Sequence, residues 1–145
     1  MIRYLNSEKR VTTLQMINWP DHDIPENYTG YLTIEAILNI INEYKVTFLQ
    51  SPVLVHCSAG LGRTGTLIAI YNTIRSFTIL QCVNTCLDQK IKPFFSVFNV
   101  VRKLREQRMG MVTDELQYKY IYKFAFEWLE RNFDLPETDN LCSLM

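Results

Sequence analysis

The sequence predicts a layered α/β domain, and three observations carry that expectation. A short, continuously apolar run, PVLVH at residues 52–56, reads as a strand buried on both faces. Apolar residues at helical spacing follow it, Leu67, Ile70, Tyr71, Ile74 and Phe77, and the same spacing recurs in three further segments. Strand and helix are joined through a glycine-bearing turn. Helices alternating with at least one buried strand point to α/β layering.

Taken in order, VTTLQMINW at residues 11–19 alternates Leu14 and Met16 against Thr13 and Gln15, the pattern of a strand with unlike faces that Pro20 ends. PDHDIPENYTG, residues 20–30, is dense in Pro, Asp, Asn and Gly and is expected to be a loop. From Leu32, the positions of Ile34, Ile37, Leu38 and Ile41 predict a helix with one inward face, ending near Tyr44. After the second helix, ILQCVNTCLDQKI at residues 79–91 reads equally as helix continuation or loop, and Cys82 and Cys86 read as buried small hydrophobes. Val97, Val100, Val101 and Leu104 predict a further helix closed by Gly110. A last helix runs from about Asp114, with Thr113 placed to cap it and Ile121, Phe124 and Trp128 facing the core.

A length of 145 residues, 48% of them hydrophobic, suits a single packed core. Fifteen basic side chains balance fifteen acidic ones, so no overall field draws nucleic acid or an anionic membrane, and anion recognition has to be local. The cysteines, Cys57, Cys82, Cys86 and Cys142, form no CxxC pair and have no histidine at zinc-ribbon spacing, which favours a reducing compartment and no metal. The N-terminus lacks an apolar signal core and no apolar run is long enough to cross a bilayer, so the expected location is cytoplasmic, with no integral membrane segment. The terminal CSLM fits a prenylation pattern at Cys142. The acidic DLPETDN before it offers no basic patch, so a lipid there would give only weak membrane association; an ordinary frayed tail is the other reading.

The chemistry concentrates in VHCSAGLGRTGT, residues 55–66. Glycines at a strand-to-helix joint let several backbone N–H groups converge on one point, and the helix N-terminus beyond adds unsatisfied donors and the positive end of its dipole. Arg63 adds a planar fork able to hold two oxygens of a phosphate. The donors that favour a bound dianion also favour thiolate at Cys57, so one loop unites nucleophile and anion clamp. Five residues, Ser58, Ala59, Gly60, Leu61 and Gly62, separate cysteine from arginine, enough to curl round a tetrahedral anion. Thr64 is placed to donate its hydroxyl to the departing thiolate, and His56 to hold the turn. A core cysteine beside ordinary turn glycines is the bland alternative; no lysine follows the glycines, which excludes a Walker loop.

HCSAGLGRTG, His56 to Gly65, resembles the HCSAGxGRTG signature of the cysteine-dependent protein tyrosine phosphatases. WPDHDIP, residues 19–25, is similar to that family's mobile loop, and QRMGMVTDELQY, residues 107–118, to its water-positioning segment; the likeness spans about Val11 to Trp128. The resemblance implies a three-layer domain with a mainly parallel central sheet flanked by helices, here residues 1–134 and lacking the N-terminal part, then a tail at 135–145. It implies Asp21 as the acid protonating the leaving phenolate and then the base for water, with Trp19 and Pro20 anchoring the loop. Asp21 would otherwise read as a turn aspartate. It implies further that Arg63 and the backbone from Ser58 hold phosphate and that the substrate is a phosphotyrosine protein, and it implies no metal or organic cofactor.

Three departures qualify the pattern. Asp23 stands where the family's loop commonly has glycine, so loop closure is expected to be slower or shifted. Thr113 replaces a glutamine that usually orients the attacking water, leaving Gln117 to take part of that placement. Only ten residues precede Val11, where the family carries a substrate-stacking tyrosine loop and an acid bracing the arginine, so an exposed sheet edge and marginal stability without a covering partner are expected. The leading reading is a protein-tyrosine phosphatase working through a phosphocysteine intermediate. Its rival is a catalytically impaired module that binds phosphotyrosine proteins. A rhodanese-like sulfur carrier leaves WPDHDIP unexplained.

Overall fold

The computed structural model describes residues 2–4, 7–9, 11–25, 27–87 and 96–133, with backbone alone for 2–4, 7–9 and 83–87. Cys86, on its backbone-only stretch, and Cys142 therefore lie outside the described side chains. The described elements are a small antiparallel pair, β1 (Ile2–Tyr4) and β2 (Ser7–Lys9), and four helices: α1 (Tyr28–Thr47), α2 (Gly62–Leu87), α3 (Val97–Gln107) and α4 (Glu115–Asn132). In the pair, Ile2 faces Lys9 and Tyr4 faces Ser7.

The helix α1 starts earlier and ends later than its apolar spacing predicts. Its start lies inside the Pro- and Asp-rich stretch, where Asn27 caps it by accepting the Gly30 N–H on Oδ1 at 2.9 Å. α2 lies against α3 and α4. Its Ala69, Ile70, Thr73 and Ile74 are buried with Ile34 and Leu38 of α1, Val97, Val101 and Leu104 of α3, and Ile121 and Phe124 of α4. Tyr31 stacks on Phe124 with ring centroids 4.3 Å apart. Arg131 pairs with Glu35 at 3.2 Å, tying the end of α4 to α1.

Two expected strands are not formed among the described residues. Residues 11–19 and 52–56 carry no strand pairing, and Ile17 and Leu54 are each 87% exposed. A strand needs a neighbour for its N–H and C=O groups, and the described pairing is that of β1 with β2 alone. Only one side of the second segment is covered: Val53 and Val55 border an open apolar groove of about 280 Å³ with Ile41 of α1 and Leu67, Ile68 and Tyr71 of α2.

Cys82 also departs from expectation. α2 continues through it, and the side chain is exposed because it lies one turn on from the exposed Thr78 and Ile79, on an outward face of the helix. Among the described residues, no helix is long and apolar enough to cross a membrane.

Candidate active site

The glycine-bearing turn delivers Cys57 to the start of α2. Gly60 sits at φ 69°, a left-handed angle that glycine adopts freely, and its N–H donates to Cys57 Sγ, 3.2 Å away. Burial is the largest single influence on the thiol and opposes ionisation. The Thr64 hydroxyl and the backbone N–H groups of Thr64, Gly60 and Leu61 together outweigh it, lowering the thiol from 9.0 to about 7. Thr64 Oγ1 is buried and makes no fully formed hydrogen bond among the described residues, and its hydroxyl is the largest of the influences that favour the thiolate.

Arg63, on the first turn of α2, gathers the rest. Its Nη1 donates to the Trp19 carbonyl at 3.1 Å, and its Nη2 donates to Ser58 Oγ at 3.3 Å and pairs with Asp21 Oδ1 at 2.9 Å. Nε is buried and has no partner among the described residues. A buried donor without an acceptor is uncommon in a native fold and fits a site whose ligand supplies the oxygen. The segment read as a mobile loop thus brings Asp21 to the cysteine turn. His56 stays exposed, its Nδ1 3.4 Å from the Cys57 carbonyl.

The turn is braced from behind by residues that sequence reading did not single out. Arg108 donates through Nη2 to the Ala59 carbonyl at 3.1 Å. Arg105 holds the Met111 carbonyl at 2.9 Å through Nε and the Val112 carbonyl at 2.8 Å through Nη2. The Leu61 carbonyl accepts from Gly65 N at 2.8 Å and Val112 N at 3.2 Å. A Cβ on Gly65 would lie 2.5 Å from Val112 N, so only glycine permits that approach. Two arginines three apart near a helix end were visible in the sequence, but the pattern is common on solvated helices.

Gln117 is 1% exposed and faces Gly62, where an added Cβ would meet Thr113 Oγ1 at 2.7 Å and Gln117 Oε1 at 3.0 Å. Thr113 is not the cap of α4. Asp114 is the N-cap residue, and the Thr113 hydroxyl lies 2.7 Å from Asp114 Oδ2 and 3.3 Å from Gln117 Oε1. Asp23 does not take the left-handed backbone either: His22 does, at φ 55°. Asp23 instead knits the loop, accepting Ile24 N on Oδ1 at 2.8 Å and Trp19 Nε1 on its carbonyl at 2.9 Å.

A family model described as protein-tyrosine phosphatase matches residues 2–127. The human tyrosine-protein phosphatase non-receptor type 12 is 29% identical over 137 residues, covering 94% of this chain and 16% of the relative. The mouse non-receptor type 18 enzyme is 37% identical, with 92% of this chain and 27% of the relative covered. The crystal structure of a protein tyrosine phosphatase from Trypanosoma brucei superposes with a TM-score of 0.58 at 32% identity, over 79% of this chain and 35% of that one. The chain thus spans well under half the length of each of these relatives, and its fold class is the α/β class of the matched structures. Because the match runs from the first strand pair through most of α4 and takes in every segment that shapes the cysteine turn, the chain belongs to the protein-tyrosine phosphatase family.

Proposed function

We propose that this chain hydrolyses phosphotyrosine on proteins through a phosphocysteine intermediate. The Cys57 thiolate attacks phosphorus, forming an S–P bond as the P–O bond to the tyrosine ring breaks, and Asp21 gives its proton to the leaving phenolate. Backbone N–H groups from Ser58 through Arg63 and the guanidinium of Arg63 hold the three peripheral oxygens. In the second step water attacks phosphorus, Asp21 takes its proton, and the S–P bond breaks to give inorganic phosphate and thiolate, with Thr64 easing the departure and Gln117 helping to place the water.

The observation that supports this best is the pairing at one turn of a thiol lowered to about 7 with an arginine whose buried Nε has no partner among the described residues. The Arg63 to Asp21 ion pair brings the carboxylate to the same turn, which supports Asp21 as the base that takes the proton of water; its acid role requires the protonated form, released from Arg63. The finer architecture, a three-layer domain in residues 1–134 built round a mainly parallel sheet, is supported by the likeness to solved tyrosine phosphatases.

The test is phosphate release from a phosphotyrosyl peptide by the unmutated chain, Cys57→Ser and Asp21→Ala. Release that vanishes in the first variant and falls strongly in the second supports the reading. Folded protein that binds the peptide and releases nothing in any form would replace catalysis with phosphotyrosine binding.

A further inference from the structure

We infer that Asp114 is a positioning residue, a strut fastening the loop that carries Asp21 to the face of α4 that carries Gln117. Its meaning for catalysis rests on the phosphatase reading; its geometry does not. An aspartate at the N-cap ordinarily accepts a hydrogen bond from an N–H of its own first turn. Asp114 has the extended backbone of such a cap, φ −112° and ψ 148°, yet its side chain makes no cap bond. Its Oδ2 lies instead 3.3 Å from His22 Nδ1 and accepts the Thr113 hydroxyl at 2.7 Å.

His22 explains why the carboxylate is turned outward. It occupies the left-handed region at φ 55°, unfavourable for a residue with a Cβ, and such a conformation persists where surrounding interactions hold it. It is the neighbour of Asp21. The backbone shape that brings Asp21 Oδ1 to within 2.9 Å of Arg63 therefore also presents the imidazole to Asp114. On the other side, the Thr113 hydroxyl shared between Asp114 and Gln117 Oε1, at 3.3 Å from the latter, carries the same strut to a buried amide. Gln117 Nε2 in turn reaches the Asp23 carbonyl at 3.5 Å, a long contact that closes the circuit back to the loop. The loop is thus pinned at two ends, by Arg63 and by Asp114.

The test compares Asp114→Ser, Asp114→Asn, His22→Ala and the Asp114→Ser/His22→Ala double variant in the whole chain, reading the rate of iodoacetamide alkylation at Cys57 by peptide mass spectrometry. Serine restores a cap to α4 but is too short to reach His22, so this variant is expected to keep or raise the thermal midpoint while freeing the loop above the sulfur. Alkylation is expected to speed up about two- to fivefold in Asp114→Ser and His22→Ala, the scale of one exposed polar contact, and no further in the double variant. Asp114→Asn keeps an acceptor oxygen and should stay near the parental rate. Unchanged rates in both single variants, rates that multiply in the double, or a speed-up matched by a fallen thermal midpoint would each overturn the strut. Phosphate release by the parental chain decides the phosphatase reading separately, so either inference can fail without the other.

Discussion

Two apolar stretches flank the cysteine turn and meet opposite fates. On one side Ile70 of α2 is fully buried; on the other, Leu54 is 87% exposed. Hydrophobicity does not separate them, since both were expected inside. The difference lies in the backbone. A helix satisfies its own N–H and C=O groups and needs from the rest of the molecule only a face to pack on, which α3 and α4 give α2. An extended segment satisfies its backbone only through neighbouring strands, and among the described residues none pairs with 52–56. The turn between them inherits its rigidity from the helical side: Gly65, Val112, Arg105 and Arg108 all brace it from there.

The comparison holds that the helical side is chemically equipped by itself. Its largest consequence concerns rate. Cys57→Ser should lower phosphate release by at least about a thousandfold, as expected for loss of a nucleophile acting in concert with its site. Arg63→Lys, which keeps the charge and loses the fork, should cost on the order of a hundredfold. Phosphate release surviving Cys57→Ser would move the chemistry away from this turn.

Stability sharpens the contrast. Ile70→Ala should destabilise by about 2–5 kcal/mol, measured by denaturant unfolding, because it empties a closed site between helices. Leu54→Ala should change stability by no more than about 0.5 kcal/mol, since the side chain is already in solvent. Equal losses at the two positions would mean that the 52–56 face is covered in solution, and the comparison would fail. Gly65→Ala falls between, at about 1–3 kcal/mol, because its Cβ would meet the Val112 backbone and the Met111–Val112 segment would have to move.

The same division decides what was legible in the sequence. The residues of the turn could be read singly: cysteine, glycines and arginine at fixed spacing act through local geometry, and the structure puts Cys57, Arg63 and Asp21 together. The helical stripes around Ile34, Ile70, Val101 and Phe124 were equally readable, since helical period is a local property. The strands were not, because pairing is a property of two segments. Asn27 was hidden among turn residues although it starts α1, and Cys82 read as buried because residue type does not tell which face of a helix a cysteine lies on. Thr113 read as the cap of α4, whereas Asp114 takes that position with its carboxylate turned to His22, a contact that no local pattern announces.

The smallest predicted effect tests the electrostatics of the turn without requiring turnover. Alkylation of Cys57 should titrate with a midpoint of about 7 instead of 9.0, and Thr64→Ala should move that midpoint upward by removing the hydroxyl dipole that favours the thiolate. The sign for stability follows from the same depression. A group whose pKa is lower folded than unfolded stabilises the fold where the folded thiolate faces an unfolded thiol, so its contribution is complete above about 9 and is lost as pH falls through about 7. The parental chain should therefore gain stability relative to Cys57→Ala as pH rises across that interval. A gain in the opposite direction, or an alkylation midpoint left at 9.0, would mean that the amides of Gly60, Leu61 and Thr64 do not outweigh the burial of the sulfur, and that the helix start does not prepare it for attack.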